Sequence, residues 1–290
     1  MMCKKPFVKC GPNVTRTGVL LSRDMRDAAT PFPCGQCLHC RINKSREWQH
    51  RLLLENMVAD KSCFVTITYN NENVPKDMSL KPDDVQKFMK RLRYYLDGIE
   101  IRYFIVGEYG DKTERPHYHA AFFGVGIEDV DSISKAWYKG FIQVGDLNKD
   151  SARYIVGYVV KNMKKKGDKR LKGRHPEFMR CSKQKGGIGI GAINIMAEKL
   201  KGKNVGKIIR EVYHGKKGYP LGRYLIRKLA ERMGIDDNTL AWDFWEHQEE
   251  LFNEHMGNDM LYMDSILNES YGKRRVQERK QKIFNRRSSL

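Results

Sequence analysis

The stretch Arg115-Pro116-His117-Tyr118-His119-Ala120-Ala121-Phe122-Phe123-Gly124 decides how the rest of this 290-residue chain is read. Side chains alternate between the faces of an extended strand, so His117 and His119 project together, close enough to share one cation, while Tyr118 points the other way. Residues 120–123 are apolar on both faces, which suits a central strand covered on one side and carrying a site on the other. Pro116 fits the start of such a strand. Glu108, nine residues before His117, ends a second strand-like run at 101–108, and the loop 109–114 carries a turn signal in Gly110. A hairpin built this way brings the Glu108 carboxylate near both imidazoles. Two imidazoles and a carboxylate with positions left open make a site for a divalent ion that also takes a substrate oxygen.

The flanking segments supply the other elements. Trp48, Leu52 and Met57 recur at helical spacing within residues 43–59, and Ser62-Cys-Phe-Val-Thr-Ile-Thr-Tyr69 is a β-branched, aromatic strand closed by the turn cluster 70–75. Residues 80–96 read as a helix, with Ser79 as N-cap, Pro82 and two aspartates in the first turn, and Asp97-Gly98 as its stop. A short helix at 130–138 and a strand at 140–144 follow. The order strand, helix, strand, strand, helix, strand predicts an α+β fold. Its central antiparallel sheet would be the split βαβ of ferredoxin-like folds, with helices on one face and the other face free for nucleic acid.

Nucleic acid is the partner that the charge implies. The chain carries 54 Lys and Arg against 35 Asp and Glu, a formal net charge of +19, and such an excess favours a polyanion. No apolar run approaches the roughly 18 to 20 residues that span a bilayer, and the first ten residues lack the apolar core of a signal peptide, so a cytoplasmic protein with no membrane partner is expected. Seven cysteines is an odd number, and Cys34-x2-Cys37-x2-Cys40 is spaced too closely for a disulfide framework. Residues 1–42 need a staple, and these thiolates, completed by Cys10 with Cys3 and His39 as alternatives, offer a tetrahedral structural Zn²⁺ site. The spacing alone also allows an iron-sulfur cluster, but the usual continuation to Cys-Pro is absent.

Beyond the fourth strand, Asp150-Ser151 reads as an N-cap for a helix over 152–163. Tyr154 and Tyr158 lie four apart on it and Lys161 three further on, which stacks all three on one face. Ile155, Val156, Val159 and Val160 already supply an apolar face, so the tyrosines mark a different one. From 153 to 185 there are 12 Lys and Arg against Asp168 and Glu177, among them Arg153, Lys164, Lys165 and Lys166, a run fit to track a phosphate backbone together with Arg115. Residues 186–191 read as a flexible turn or an approach loop for DNA. Four segments result: a Cys-rich part to residue 42, a core at 43–165, a basic extension at 166–235, and a helical region with a basic tail at 236–290.

His-hydrophobic-His on a strand, preceded by Glu108 and followed by Tyr-x3-Tyr-x2-Lys, resembles the HUH endonucleases, and within them the two-tyrosine class of rolling-circle initiators. The cysteine stretch and the sequence around 107–110 and 115–124 look most like the replication initiators of gokushovirus-type microviruses, strongly over 33–161 and more loosely over 186–229. One departure is Gly157, where related helices carry a basic residue just before the second tyrosine.

The resemblance implies a nickase that opens single-stranded DNA at an origin, forms a 5′-phosphotyrosine link and a free 3′ hydroxyl, and later rejoins the strand. It assigns Tyr154 and Tyr158 as nucleophiles, Lys161 as their support, and Glu108, His117 and His119 as ligands of Mg²⁺ or Mn²⁺. The DNA would be single-stranded or supercoiled circular DNA in the host bacterial cytoplasm. No P-loop is present, so helicase and DNA polymerase would come from the host. The rival readings are a non-catalytic, zinc-containing binder of single-stranded nucleic acid, and a plasmid initiator, relaxase or transposase using the same chemistry.

Overall fold

The computed structural model describes residues 7–9, 30–32, 34–110, 113–160, 167–201, 211–214, 216–235, 275, 276 and 278. Two compact units partition the chain, one of residues 1–43, 205–208 and 234–290, the other of residues 44–204 and 209–233. In the first unit, β1 (Phe7–Lys9) pairs antiparallel with β2 (Thr30–Phe32). The expected 240–256 helix and all but three positions of the basic tail lie outside the described residues.

The second unit is built on a five-stranded antiparallel sheet. Its strands β3 (Ser62–Tyr69), β4 (Arg102–Tyr109), β5 (Pro116–Phe123), β6 (Gly140–Gly145) and β7 (Phe178–Cys181) lie in the order β6-β3-β5-β4-β7. Two helices, α2 (Pro82–Tyr95) and α3 (Val130–Ala136), follow β3 and β5 in the chain. Strand β3 alternates strictly, so Cys63, Val65, Ile67 and Tyr69 enter a first core with Phe88 and Leu92 of α2, Ile133 and Ala136 of α3, and Trp137. Tyr118 joins this core, on the face opposite the histidines.

The second face is not free, contrary to the expectation of helices on one side only. Helices α1 (Leu38–Asn56) and α4 (Lys149–Val160) cover part of it, and Leu52, Ile155 and Val156 pack with Phe104, Ala121 and Phe123 in a second core. Each apolar stripe has to be buried somewhere, and β4 and β5, apolar on both faces, provide the place. Ser45 Oγ donates to Val156 O at 3.0 Å and Gln49 Nε2 to Lys149 O at 3.1 Å, which ties α1 to α4. The other side of α1 turns Leu54 into a third core with α5 (Ile190–Leu200) and α6 (Gly222–Met233).

Both helix starts differ from their sequence signals. Ser79 does not cap α2; its Oγ accepts from His175 N at 2.8 Å. The hydroxyls of Tyr109 and Tyr118 receive Leu80 N and Lys81 N instead, at 3.1 and 2.9 Å, so tyrosines of the sheet satisfy amide groups at the entry to the helix. At α4 the cap is Asn148, whose Oδ1 accepts from Asp150 N and Ser151 N at 2.9 and 3.0 Å. The glycine turn at 186–191 is a packed corner rather than an open loop. Ile188 is fully buried, Arg51 Nε donates to Ile188 O, and Gly189, at φ +85°, donates its N–H to Glu55, which also pairs with Arg102. Among the described residues no helix is long and apolar enough to cross a membrane.

Strands β8 (Glu211–His214) and β9 (Lys217–Pro220) form a hairpin whose aromatic residues meet α1. The His50 Nδ1–H donates to Pro220 O at 2.9 Å, since a carbonyl can only accept. Burial pushes the His50 pKa down to about 4, against the Pro220 bond and with some help from His214. An unfolded histidine takes up its proton near pH 6.5, so the unfolded state binds more protons between these values and stability falls as pH drops through that window, by on the order of 3 kcal/mol. His214, lowered by its own burial and then by Lys149, acts in the same direction. Urea unfolding at pH 7 and pH 4.5 is therefore expected to show a loss at the lower pH that is smaller in His50→Gln, which keeps a donor and does not titrate.

Candidate active site

The register of the sheet puts the candidate residues in rows. Glu108 on β4 lies opposite His117 on β5, Val106 opposite His119, and across the other edge of β5 Thr68 faces His117 and Thr66 faces His119. Directly paired residues share a face, so Glu108, His117, His119, Thr66 and Thr68 all project toward the side that α4 partly covers.

His119 is held at both nitrogens. Its Nδ1 lies 3.1 Å from Thr66 Oγ1 and its Nε2 lies 3.1 Å from Glu108 Oε1, with both the ring and the carboxylate buried. Helix α4 then lays two aromatic rings against it. Tyr158 stacks on His119 with ring centres 4.8 Å apart and planes 3° from parallel, while Tyr154 meets the same imidazole edge-on at 5.2 Å. The two tyrosines touch at 5.2 Å, and Phe64 of β3 closes the cluster from the other side.

The tyrosines are unequal. Tyr158 is 7% exposed and belongs to the second core with Ile155 and Val156, whereas Tyr154 is 49% exposed at the rim. The expectation that the tyrosines mark a face apart from the apolar one therefore fails for Tyr158. Burial pushes the Tyr158 hydroxyl well above the usual phenol range, reinforced by the negative charge of Glu108 and by hydrogen bonding with Tyr154. Ionising this phenol requires a positive charge beside it.

His117 is half-buried, and its Nδ1 is buried without a hydrogen-bond partner. That orphan acceptor, together with a neighbouring imidazole and carboxylate, is a donor set of the kind that holds a divalent cation. The 3.1 Å between His119 Nε2 and Glu108 Oε1 also matches the spacing of adjacent ligands around an ion with bonds of about 2.1 Å. The donor atoms of Glu108, His117 and His119 are not all drawn within 4.8 Å of one another, so a shared ion asks for a small adjustment of the His117 ring.

Among the described residues, the three-ligand group that does meet that spacing is Cys34, Cys37 and Cys40. These thiols could hold a metal ion such as zinc. Cys34 Sγ and Cys40 Sγ are 3.9 Å apart, and Cys37 N–H donates to Cys34 Sγ at 3.3 Å. His39, one alternative for a fourth ligand, is buried with Nε2 3.4 Å from Glu278 Oε1 and stands outside the thiol group. Cys3 and Cys10 lie outside the described residues, as do Lys161, Lys164, Lys165 and Lys166.

Arg115 donates through Nε and Nη2 to Tyr69 O, at 3.2 and 2.9 Å, and Arg153 is exposed on α4 next to Tyr154. Thr66 and Phe64 were not singled out from sequence. The period-two pattern of residues 62–69 carries the signal, because it sets Phe64, Thr66 and Thr68 on the face away from Cys63, Val65 and Ile67.

The family model for the replication-associated protein ORF2 of phages matches residues 62–163, from the first residue of β3 to just beyond α4. Three relatives extend the match. The Replication-associated protein ORF2 of Spiroplasma virus 4 is 32% identical over 233 residues, covering 72% of this chain and 71% of the relative. The Replication-associated protein VP4 of Bdellovibrio phage phiMH2K is 33% identical over 187 residues, 56% of this chain and 59% of its own. The Replication-associated protein ORF4 of Chlamydia phage 1 is 27% identical over 153 residues, 45% and 38% of the two chains. The chain belongs to this family of phage replication-associated proteins. No solved structure matches it.

Burial of Tyr158 has a measurable consequence apart from any activity. Tyr158→Ala opens a cavity against His119 and the second core and is expected to cost about 3 to 5 kcal/mol, by analogy with other buried aromatics. Tyr158→Phe keeps the stacked ring and should cost about 1 kcal/mol. Urea denaturation midpoints of the two variants would separate these outcomes.

Proposed function

We propose that the chain initiates rolling-circle replication by nicking single-stranded DNA at the phage origin and later rejoining the product strand. The observation that carries this reading is the packing of Tyr154 and Tyr158 on the His119 ring, itself bonded to Glu108 and flanked by His117. A structural core would not need an imidazole with both nitrogens engaged beside a second one left open. We also read the succession β3-α2-β4-β5-α3-β6, with sheet order β6-β3-β5-β4, as the ferredoxin-like arrangement of HUH nucleases.

In this reading the tyrosine oxygen attacks phosphorus in line, the bond from phosphorus to the 3′ oxygen breaks, and the departing oxygen takes a proton to become a free 3′ hydroxyl. The strand is left as a 5′-phosphotyrosine ester, so the energy of the phosphodiester is kept for rejoining. A Mg²⁺ or Mn²⁺ ion, when bound by Glu108, His117 and His119, would polarise the scissile phosphate and favour the phenolate. Thr66 orients His119, and Lys161, three residues beyond Tyr158, would balance the charge that develops on the phosphate or phenolate. Tyr154 at the open rim and Tyr158 behind it provide two nucleophiles for alternate cleavages, and the hydroxyl released by the second cut attacks the first ester to close a circle. The 3′ end primes the host DNA polymerase, with a host helicase opening the duplex.

The thiols of Cys34, Cys37 and Cys40 are proposed to bind structural Zn²⁺ with Cys10 as the fourth ligand. Elemental analysis should find about one zinc per chain, and Cys37→Ser should lose it.

The nickase reading is tested by incubating the purified protein with the circular single-stranded phage genome and Mg²⁺ or Mn²⁺, then looking for a denaturant-resistant adduct. The adduct is expected to disappear with chelator, with His117→Ala, and with Tyr154→Phe combined with Tyr158→Phe. DNA binding without any adduct would replace this reading with the non-catalytic one.

A further inference from the structure

We propose that Phe141 is a stacking platform for an unpaired nucleobase, seating a single strand on the uncovered part of the sheet so that its phosphate reaches His117 and Glu108. This deepens the replication reading and rests on it for the identity of the strand. Phe141 of β6 pairs with Thr68, Thr68 with His117, and His117 with Glu108, so one register row crosses four strands on a single face. Strands lie about 4.8 Å apart, which puts Phe141 about 10 Å from His117 along that row.

Coverage of this face is uneven. Toward one end Phe104, Ala121 and Phe123 are buried under α1 and α4, whereas Phe141 is 69% exposed and its neighbour on the same face, Gln143, is also exposed. Strand β6 does not need Phe141 for its own packing. Ile142 and Val144, pointing the other way, already lie against the first core.

The chemistry beside the ring favours a nucleic acid over an apolar partner. Arg115 is clamped to the carbonyl of Tyr69, the residue paired with Gly140 next to Phe141, and it has no carboxylate partner among the described residues. A fixed guanidinium at the end of β3, a flat aromatic surface on β6 and the polar row leading to His117 match the phosphate, the base and the scissile group of one strand. Every base has a π-face, so this contact adds affinity for unpaired DNA without reading its sequence. A base inside a duplex cannot offer its face.

The test compares the full chain with Phe141→Ala and Phe141→Trp, binding a short oligo(dT) and an abasic oligomer of the same length. Because Phe141 is exposed, both variants should melt like the parent. Phe141→Ala is expected to weaken oligo(dT) binding roughly five- to hundredfold and Phe141→Trp to restore it, with little change on the abasic strand. Equal affinity of Phe141→Ala and parent for oligo(dT) would overturn the proposal. So would an equal loss on both oligomers, which would point to a packing role, a segment of this chain or a protein partner at Phe141. The adduct assay on the parent separates the two readings: no adduct with base-dependent binding at Phe141 removes the nickase and keeps the platform, and an adduct without it does the reverse.

Discussion

Strand β5 is hydrogen-bonded along both edges, and the register of those two ladders determines where every functional side chain can go. On one face it sends Tyr118 into the first core, where the hydroxyl receives Lys81 N and sits 3.0 Å from Tyr69. On the other it sends His119 under α4, between Thr66 and Glu108. A slip of one residue would exchange the faces, placing imidazoles in the first core and a tyrosine in the candidate site. The same ladders therefore secure both the core and the chemistry.

The candidate site is cut into the edge of the second core. Tyr158 and His119 are buried as a stacked pair, and the polar atoms of the imidazole are satisfied by a hydroxyl and a carboxylate. Burial lowers the local dielectric, which strengthens each of these contacts and also makes an unbalanced charge costly. Helical geometry then makes two residues four apart unequal. The axis of α4 tilts Tyr158 inward and leaves Tyr154 half open to solvent, so two chemically identical side chains meet different surroundings.

Several elements depend on partners far away in the chain. The start of α2 is satisfied by Tyr109 and Tyr118 because the sheet presses its hydroxyls against those amides, and Ser79 is drawn to His175 instead. Strand β7 is short and carries Arg180, so its period-two signal is weak; pairing with β4 decides its conformation. The glycines at 186–191 suggested mobility, yet Glu55, Arg51 and Arg102 converge there and stitch the turn to α1 and β4.

What the sequence alone determined is what depends on local periodicity and residue chemistry. Alternation placed His117 and His119 together and Tyr118 apart, helical spacing put Tyr154 and Tyr158 on one side of α4, and the close spacing of Cys34, Cys37 and Cys40 brought three thiols together. Tertiary structure alone decided which face of the sheet α4 would cover, how deep each tyrosine would sit, and which residues would hold His119. Those outcomes depend on how two apolar surfaces from distant segments match in shape and area, and a local pattern shows that a surface must be buried without showing against what.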